Sequence, residues 1–561
     1  MTTINPVPIE PVEPEPDRGY HLSTGTLVAA ALAVCIAQMA LSVPAVLNGL
    51  FQRDLSPSST QLTWISDAFL VPVTLLELTF GVLGDLFGRK RLLAVGSFLL
   101  AAGLLIGSFT PGPGHSTDLR VAVLWAGQII AGIGAAAVLP TSLAMIAAGT
   151  HNARDRSWAL SIWAAALTAA GSICPVLSGW LARYHHSGGE FASWRWAFLA
   201  LAGLAVISTV VTLVFAHNSS STVGRSLDWP GQLTVAVAVL ALLYAVIEGS
   251  ENSWVSGVVL GSFAVSLVFF ALFVVVERRT AAPLLQLEVF ANRAFTVTAI
   301  ATVIGMFAYL GTAYSTSIRL SAIQGFTPLK TSIAFVLLNI MGVLLFPFSA
   351  RLIEHYDPRW SLSGGFGLIA AGDIWLSLVP ASNLSIAAIA VPLLMVGSGF
   401  KLALTAITAV AVNSVPHRLA GMASGTTSML RDFGLTLGPA VIGAIALGRA
   451  ADEITAKLHD SPALAGALKA FNGSVASAPA SAKPELEAAI GAVNSGPLGA
   501  NGVPATIPGP DGRLMPFNPL KDVAFNALDH AYSVGYLICG ISALVAALLA
   551  LLASGHRSDY T

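Results

Sequence analysis

Of the 561 residues, 55% are hydrophobic and 10% are charged, with 28 Lys and Arg against 29 Asp and Glu and a net charge of −1. Globular domains carry about 25% charged residues, so this chain has too little polar surface to cover a set of soluble domains, and its neutral balance excludes a broad nucleic-acid footprint. Three cysteines, Cys35, Cys174 and Cys539, all fall in apolar stretches, which argues against a disulfide framework, a thiolate metal cluster and redox chemistry. No cofactor and no metal are expected.

What remains is a polytopic membrane protein. Residues 1–23 are rich in Pro and acid (Glu10, Glu13, Glu15, Asp17) and lack the basic start of a signal peptide, which predicts a disordered cytoplasmic tail. Apolar runs then recur, each long enough to cross a hydrocarbon core of about 30 Å. They lie at 25–48, 62–84, 91–110, 120–147, 157–182, 195–217, 228–248, 254–276, 294–317, 329–352, 360–380, 384–413, 419–447 and 531–554, which predicts about fourteen transmembrane helices. An even number puts both termini on one side. Alternate loops carrying Arg89, Lys90, Arg91, Arg154, Arg156, Arg278, Arg279, Arg293 and Arg359 are richer in basic residues than the others, so that side is cytoplasmic. The 449–530 connection is rich in Ala, Ser, Gly and Pro and by parity lies outside; helical spacing around Ala463–Ala470 and Glu485–Ala492 leaves open a short helical hairpin or a flexible linker.

Between the second and third spans stands Gly81-Val-Leu83-Gly84-Asp85-Leu-Phe-Gly88-Arg89-Lys90-Arg91. Its glycines allow close helix approach and a tight turn, and its acid can pair with the basic loop as a latch with two positions. The run resembles the signature loop of the major facilitator superfamily. Pro57 to Asp67, Gly132-Ile-Gly134 with Pro140, Gly171-Ser-Ile-Cys-Pro175-Val-Leu-Ser-Gly179 and Trp194-Arg-Trp-Ala-Phe198 narrow the resemblance to its fourteen-spanner drug:proton antiporter branch. The resemblance implies an all-α fold of two six-helix bundles plus two inserted helices, with the fourth and fifth helices lining a central cavity. That branch carries an acid in its first helix and an arginine in its fourth. Here the stretch from Gln38 to Asn48 has no acid, and Gln128 takes the arginine's place.

An internal echo is independent of any family. Gly171, Pro175 and Gly179 of the fifth span recur as Gly434, Gly438 with Pro439, and Gly443 in the thirteenth, and Gly132-x-Gly134 recurs as Gly397-x-Gly399. A weaker echo of the latch spans Arg351, Glu354, Asp357 and Arg359. Transporters build alternating access from such related halves. The expected division is a tail over 1–23, an N-terminal six-helix bundle over 24–220, an inserted pair over 221–280, five helices of a C-terminal bundle over 281–448, an outer loop over 449–530, and the last helix with a short cytoplasmic tail over 531–561.

Charges inside a membrane are costly and therefore mark sites. Glu77 lies near the centre of the second span, with Thr74, Gly81 and Gly84 on its helical face, and is the first choice for proton coupling, with Asp373 and Asp432 as competitors. Lys401 is deep in the twelfth span with Gly397 and Thr405 on its face, and either meets an anionic group or pairs with a carboxylate such as Asp373. Arg431 and Asp432 are adjacent, so their side chains leave the helix about 100° apart and are not expected to neutralise each other. Asp67 sits near the outer helix end, where solvation is easy. Asp67, Gln128, Lys401 and Arg431 are the expected substrate-cavity residues.

No Gly-x-x-x-x-Gly-Lys-[Ser/Thr] loop, Gly-x-Ser-x-Gly elbow or His-Glu-x-x-His pair occurs, which disfavours an ATP-driven pump and a membrane enzyme. The expected function is secondary transport: proton-coupled efflux of amphiphilic drugs or metabolites across the inner cell membrane by a monomer, with small molecules, protons and membrane lipids as its partners. The alternatives are export or flipping of an anionic or lipid-like metabolite, and a non-transporting sensor on a transporter scaffold.

Overall fold

The computed structural model describes residues 22–150, 152–184, 192–220, 227–280, 283–345, 352, 356–413, 415, 420–477, 482–508 and 513–552. The first twenty-one residues, the last nine, and positions 351 and 354 of the latch echo lie outside the described residues. The helices in chain order are α1 (Thr24–Leu55), α2 (Ser59–Phe87), α3 (Arg89–Ser108), α4 (Thr117–Gly149), α5 (Ala153–Leu181), α6 (Arg195–Phe215), α7 (Trp229–Asn252), α8 (Gly257–Arg279), α9 (Arg293–Ile318), α10 (Pro328–Leu344), α11 (Pro358–Ser377), α12 (Ile386–Asn413), α13 (Ala420–Asp460), α14 (Pro462–Gly473), α15 (Lys483–Asn494), α16 (Pro497–Gly502) and α17 (Lys521–Leu552). Twelve are long and apolar enough to cross a membrane. The shorter α10 and the less apolar α11 complete the two bundles.

Local sequence sets the helix ends. Ser58 and Gln61 form a reciprocal capping box at the start of α2. Asn152 caps α5 and Asp228 caps α7. Gly88 turns the chain from α2 into α3 at φ +99, a conformation that suits glycine, and a Cβ there would strike the Asn218 side chain at 2.8 Å.

Helices α1 to α6 pack on one another, as do α9 to α13 with α17, while α7 and α8 pair and α7 lies against α2 and α13. The halves meet along two antiparallel seams, α2 with α13 and α5 with α10. The glycine echo has a physical basis. A Cβ on Gly132 would collide with the Phe69 carbonyl of α2 and one on Gly134 with α3; a Cβ on Gly397 would collide with the Leu338 carbonyl of α10 and one on Gly399 with α11. The fourth helix of each half thus touches the second and third of its own half through the same pair of glycines, where only a hydrogen fits.

Two boundaries differ from expectation. Helix α13 continues to Asp460, for 41 residues. At 1.5 Å per residue it is about 60 Å long, roughly twice the hydrocarbon thickness. Helix formers carry it on past 447 without a break until Pro462. Helix α17 likewise starts ten residues before the expected 531, at Lys521. The connection between them is structured: α14, α15, α16 and a hairpin pairing Thr506–Pro508 with Leu514–Pro516. Asn501 donates to the carbonyls of Ala322 (3.0 Å) and Ile323 (3.1 Å), fixing α16 on the π-helical turn that ends α9.

Candidate functional site

A cavity of about 270 Å³ lies between the halves, lined by α1, α2, α4 and α5 on one side and α9, α10, α12 and α13 on the other. Its wall is mostly apolar. The polar groups that reach it include Gln38, Glu77, Asn339, Lys401, Arg431 and Asp432.

Glu77, Arg431 and Asp432 form one cluster across the α2–α13 seam. Arg431 donates from Nε and Nη2 to the two carboxylate oxygens of Asp432, at 2.7 and 3.0 Å. The expectation that these neighbours diverge is therefore wrong: the long arginine side chain folds back along the helix and offers its planar fork to the adjacent carboxylate. Glu77 Oε2 lies 4.0 Å from Arg431 Nη2, so its carboxyl and that of Asp432 flank one guanidinium. Arg431 can balance one of the two carboxylates, so the cluster is neutral with one carboxyl protonated and carries one negative charge with neither protonated. One helical turn away on the same seam, Thr74 and Thr436 meet at 2.7 Å, so of the small-residue face predicted around Glu77 it is Thr74 that meets the other half.

Lys401 lines the cavity and is 4% exposed. Beside it, Phe400 stacks on Tyr309 at 3.7 Å between ring centroids, with the planes 9° apart. The suggested Lys401–Asp373 pair is absent. Asp373 is fully buried on another face of α11, where it accepts from Thr312 Oγ1 at 2.7 Å. It is among neither the cavity residues nor the Glu77–Arg431–Asp432 cluster.

Asp67 and Gln128 also lie off the cavity wall. Asp67 is 0% exposed despite its place near the helix end, because α2 is covered there by its neighbours. Gln128 donates to the Ile65 carbonyl at 3.2 Å and ties α4 to α2. In the latch, Arg89 Nη2 pairs with Asp85 at 2.7 Å, the Arg89 amide donates to the Ser219 carbonyl at 2.9 Å, and the Lys90 amide donates to Asn218 at 3.2 Å. These contacts tie the loop to the segment after α6, within the N-terminal half. Gly81 and Gly84 face Pro140 and Thr141 of α4. On the α5–α10 seam a Cβ on Gly171 would meet Asn339 at 2.8 Å and one on Gly179 would meet Leu329 at 2.9 Å, and Pro175 faces the cavity. Gly438, before Pro439, packs on Gly311 of α9, where a Cβ would be 2.6 Å from its amide nitrogen.

At one end of the cavity the halves are joined. Asn48 donates to Ser317 at 2.9 Å, Ser317 donates to the Ala45 carbonyl, and Thr63 meets Tyr314 at 3.1 Å. A Cβ on Gly49 would strike Ser321 Cβ at 2.9 Å. Sequence reading missed the Tyr309–Phe400 stack, Asn339 and Thr436. A lone amide in an apolar span was the available signal for Asn339; the other three are ordinary core residues until the fold aims them.

Comparison with known proteins fits this geometry. A family model described as the Major Facilitator Superfamily matches residues 30–439. The chain is 31% identical over 395 residues to the multidrug resistance protein Stp of Mycobacterium tuberculosis, covering 70% of each chain. It is 25% identical over 427 residues to the tetracenomycin C resistance and export protein of Streptomyces glaucescens, covering 76% of each. Among solved structures, a bacterial homologue of the human lysosomal transporter Spinster, in an inward-facing and unoccupied conformation, superposes with a TM-score of 0.59 at 14% identity over 95% of this chain and 98% of that one.

Proposed function

The chain belongs to the Major Facilitator Superfamily, a family of small-molecule transporters and not of enzymes, and from that premise we propose that it is a proton-coupled exporter of amphiphilic drugs or metabolites. The observation that carries the reading is the Glu77–Asp432 pair beside Arg431. Two carboxyls beside one guanidinium can take up and release a proton, and they sit in the cavity wall and on the seam that must open and close. When the proton leaves, an uncompensated negative charge appears between the halves; when it returns, the charge is removed. Either event changes the relative energy of two arrangements of the halves, which is the requirement for coupling. The names of the relatives, a multidrug resistance protein and an export protein, support efflux as the direction.

With both termini in the cytoplasm and one polypeptide as the transport unit, the joined ends at Asn48–Ser317 and Thr63–Tyr314 are extracytoplasmic, so the cavity is read as inward-facing. The bilayer is the inner membrane of a bacterium, where lipid contacts the outer faces of the bundles. The aromatic stack offers planar apolar contact to a substrate. A second reading, export of an anionic metabolite or lipid, is favoured by Lys401 and Arg431 in the same wall.

Reconstituted chain in vesicles with an imposed pH gradient, screened against cationic, neutral and anionic amphiphiles, tests both readings. Gradient-driven movement of at least one cationic or neutral class is expected. Movement of anions alone would select the second reading, and no movement of any class would leave a sensor.

A further inference from the structure

The inserted helix pair reaches the central site through one side chain. Gln232, in the first turn of α7 and 5% exposed, accepts a hydrogen bond from Thr79 Oγ1 at 2.5 Å and donates from Nε2 to the Leu75 carbonyl at 2.6 Å. Leu75 and Thr79 are four residues apart and share one face of α2. Glu77 is two residues from each, about 200° around the helix, and so leaves from the opposite face, toward the cavity. Gln232 therefore grips the back of the helix turn whose front carries Glu77. Pro72, five residues before Glu77, supplies no backbone donor, so α2 lacks its hydrogen bond to the Ala68 carbonyl.

The gripping turn is itself fixed. Asp228 accepts from the amides of Gly231 (2.9 Å) and Leu284 (3.3 Å), and Glu277 of α8 accepts from the Leu285 amide (3.1 Å). Both carboxyls crowd the same turn: a Cβ on Gly231 would collide with Asp228 Oδ2 and would lie 2.6 Å from Glu277 Oε1. The start of α7, the end of α8 and the linker toward α9 thus form one rigid junction, from which Gln232 extends into α2.

We propose that Gln232 is a positioning residue: it sets the rotation of α2 so that Glu77 faces Arg431 and Asp432, which makes the inserted pair part of the coupling machinery. The inference rests on the reading that Glu77 exchanges the transported proton. The charged groups facing Glu77 are Arg431 and Asp432 from α13, with Lys401 of α12 in the same cavity wall; α7 presents the neutral Gln232. A bond that only held α7 to α2 would contribute stability without changing the surroundings of Glu77.

The test is labelling of Glu77 by dicyclohexylcarbodiimide in the purified full chain across pH, read by mass spectrometry of the peptide that contains it. In Gln232→Leu the pH midpoint of labelling is expected to move by about one unit, the scale of one lost buried hydrogen bond. Thr79→Val with Gln232→Leu removes donor and acceptor together, a change that is nearly neutral for folding, and should show the same movement. An unchanged midpoint in either folded variant overturns the proposal. If Glu77→Gln keeps gradient-driven flux, the proton-exchange reading falls instead, and the labelling midpoint still decides on its own whether Gln232 sets the surroundings of Glu77.

Discussion

Replacing Glu77 with Gln should uncouple transport from the pH gradient without unfolding the protein. Glutamine has the shape of a protonated glutamate, and its amide N–H can donate to a neighbouring carboxylate. Arg431 keeps both of its bonds to Asp432, so the variant is fixed in the proton-loaded form and its stability should change by less than about 1 kcal/mol. What is lost is the charge change. In the unaltered protein, ionised Glu77 stands 4.0 Å from Arg431, an attraction of about 4 kcal/mol at an effective dielectric constant of 20. A pH difference of one unit supplies about 1.4 kcal/mol per proton, enough for roughly tenfold substrate accumulation in one-for-one exchange. Inverted vesicles should lose that accumulation in Glu77→Gln while downhill counterflow continues. Retained accumulation in Glu77→Gln, with loss in Asp432→Asn or Asp373→Asn, would refute the assignment and move coupling to the C-terminal half.

Asp85→Asn and Arg89→Ala should each impair flux while inserting normally, because the pair joins the turn after α2 to the start of α3; normal flux in both would remove the latch role. Gly132→Ala and Gly397→Ala should each destabilise the purified protein by about 1–3 kcal/mol, seen as a lower melting temperature. Gly364→Ala, which meets nothing within 4 Å, should not, and equal melting of all three would contradict the close-approach account. A maleimide that cannot cross the membrane should label Val475→Cys from outside intact cells, and labelling only after lysis would invert the proposed topology.

The membrane class, the helix count and the relation between the halves were legible in the sequence because each depends on local composition or on spacing within one helix. A run of twenty apolar residues crosses the bilayer wherever it stands, and Gly132-x-Gly134 repeating as Gly397-x-Gly399 states a packing need that α4 and α12 share. Glu77 was legible for the same reason, since a carboxyl in mid-span is costly in any arrangement. Where α13 and α17 end was not, because beyond the bilayer a helix stops at its capping and breaking residues and not where its hydropathy falls.

The partners of the intramembrane charges belong to tertiary structure alone. Sequence placed Arg431 and Asp432 on diverging vectors, yet the arginine's length lets it return to its neighbour, and only the α2–α13 seam brings Glu77 to both. Asp67, Asp373 and Gln128 carry the same chemistry as the cavity residues, but the rotation of α2, α11 and α4 turns them into helix contacts. A sequence fixes which residues share a helix face, whereas which face meets the cavity depends on how all the helices pack together. That is why one glutamate and one arginine reach each other across the two halves while two fully buried aspartates do not.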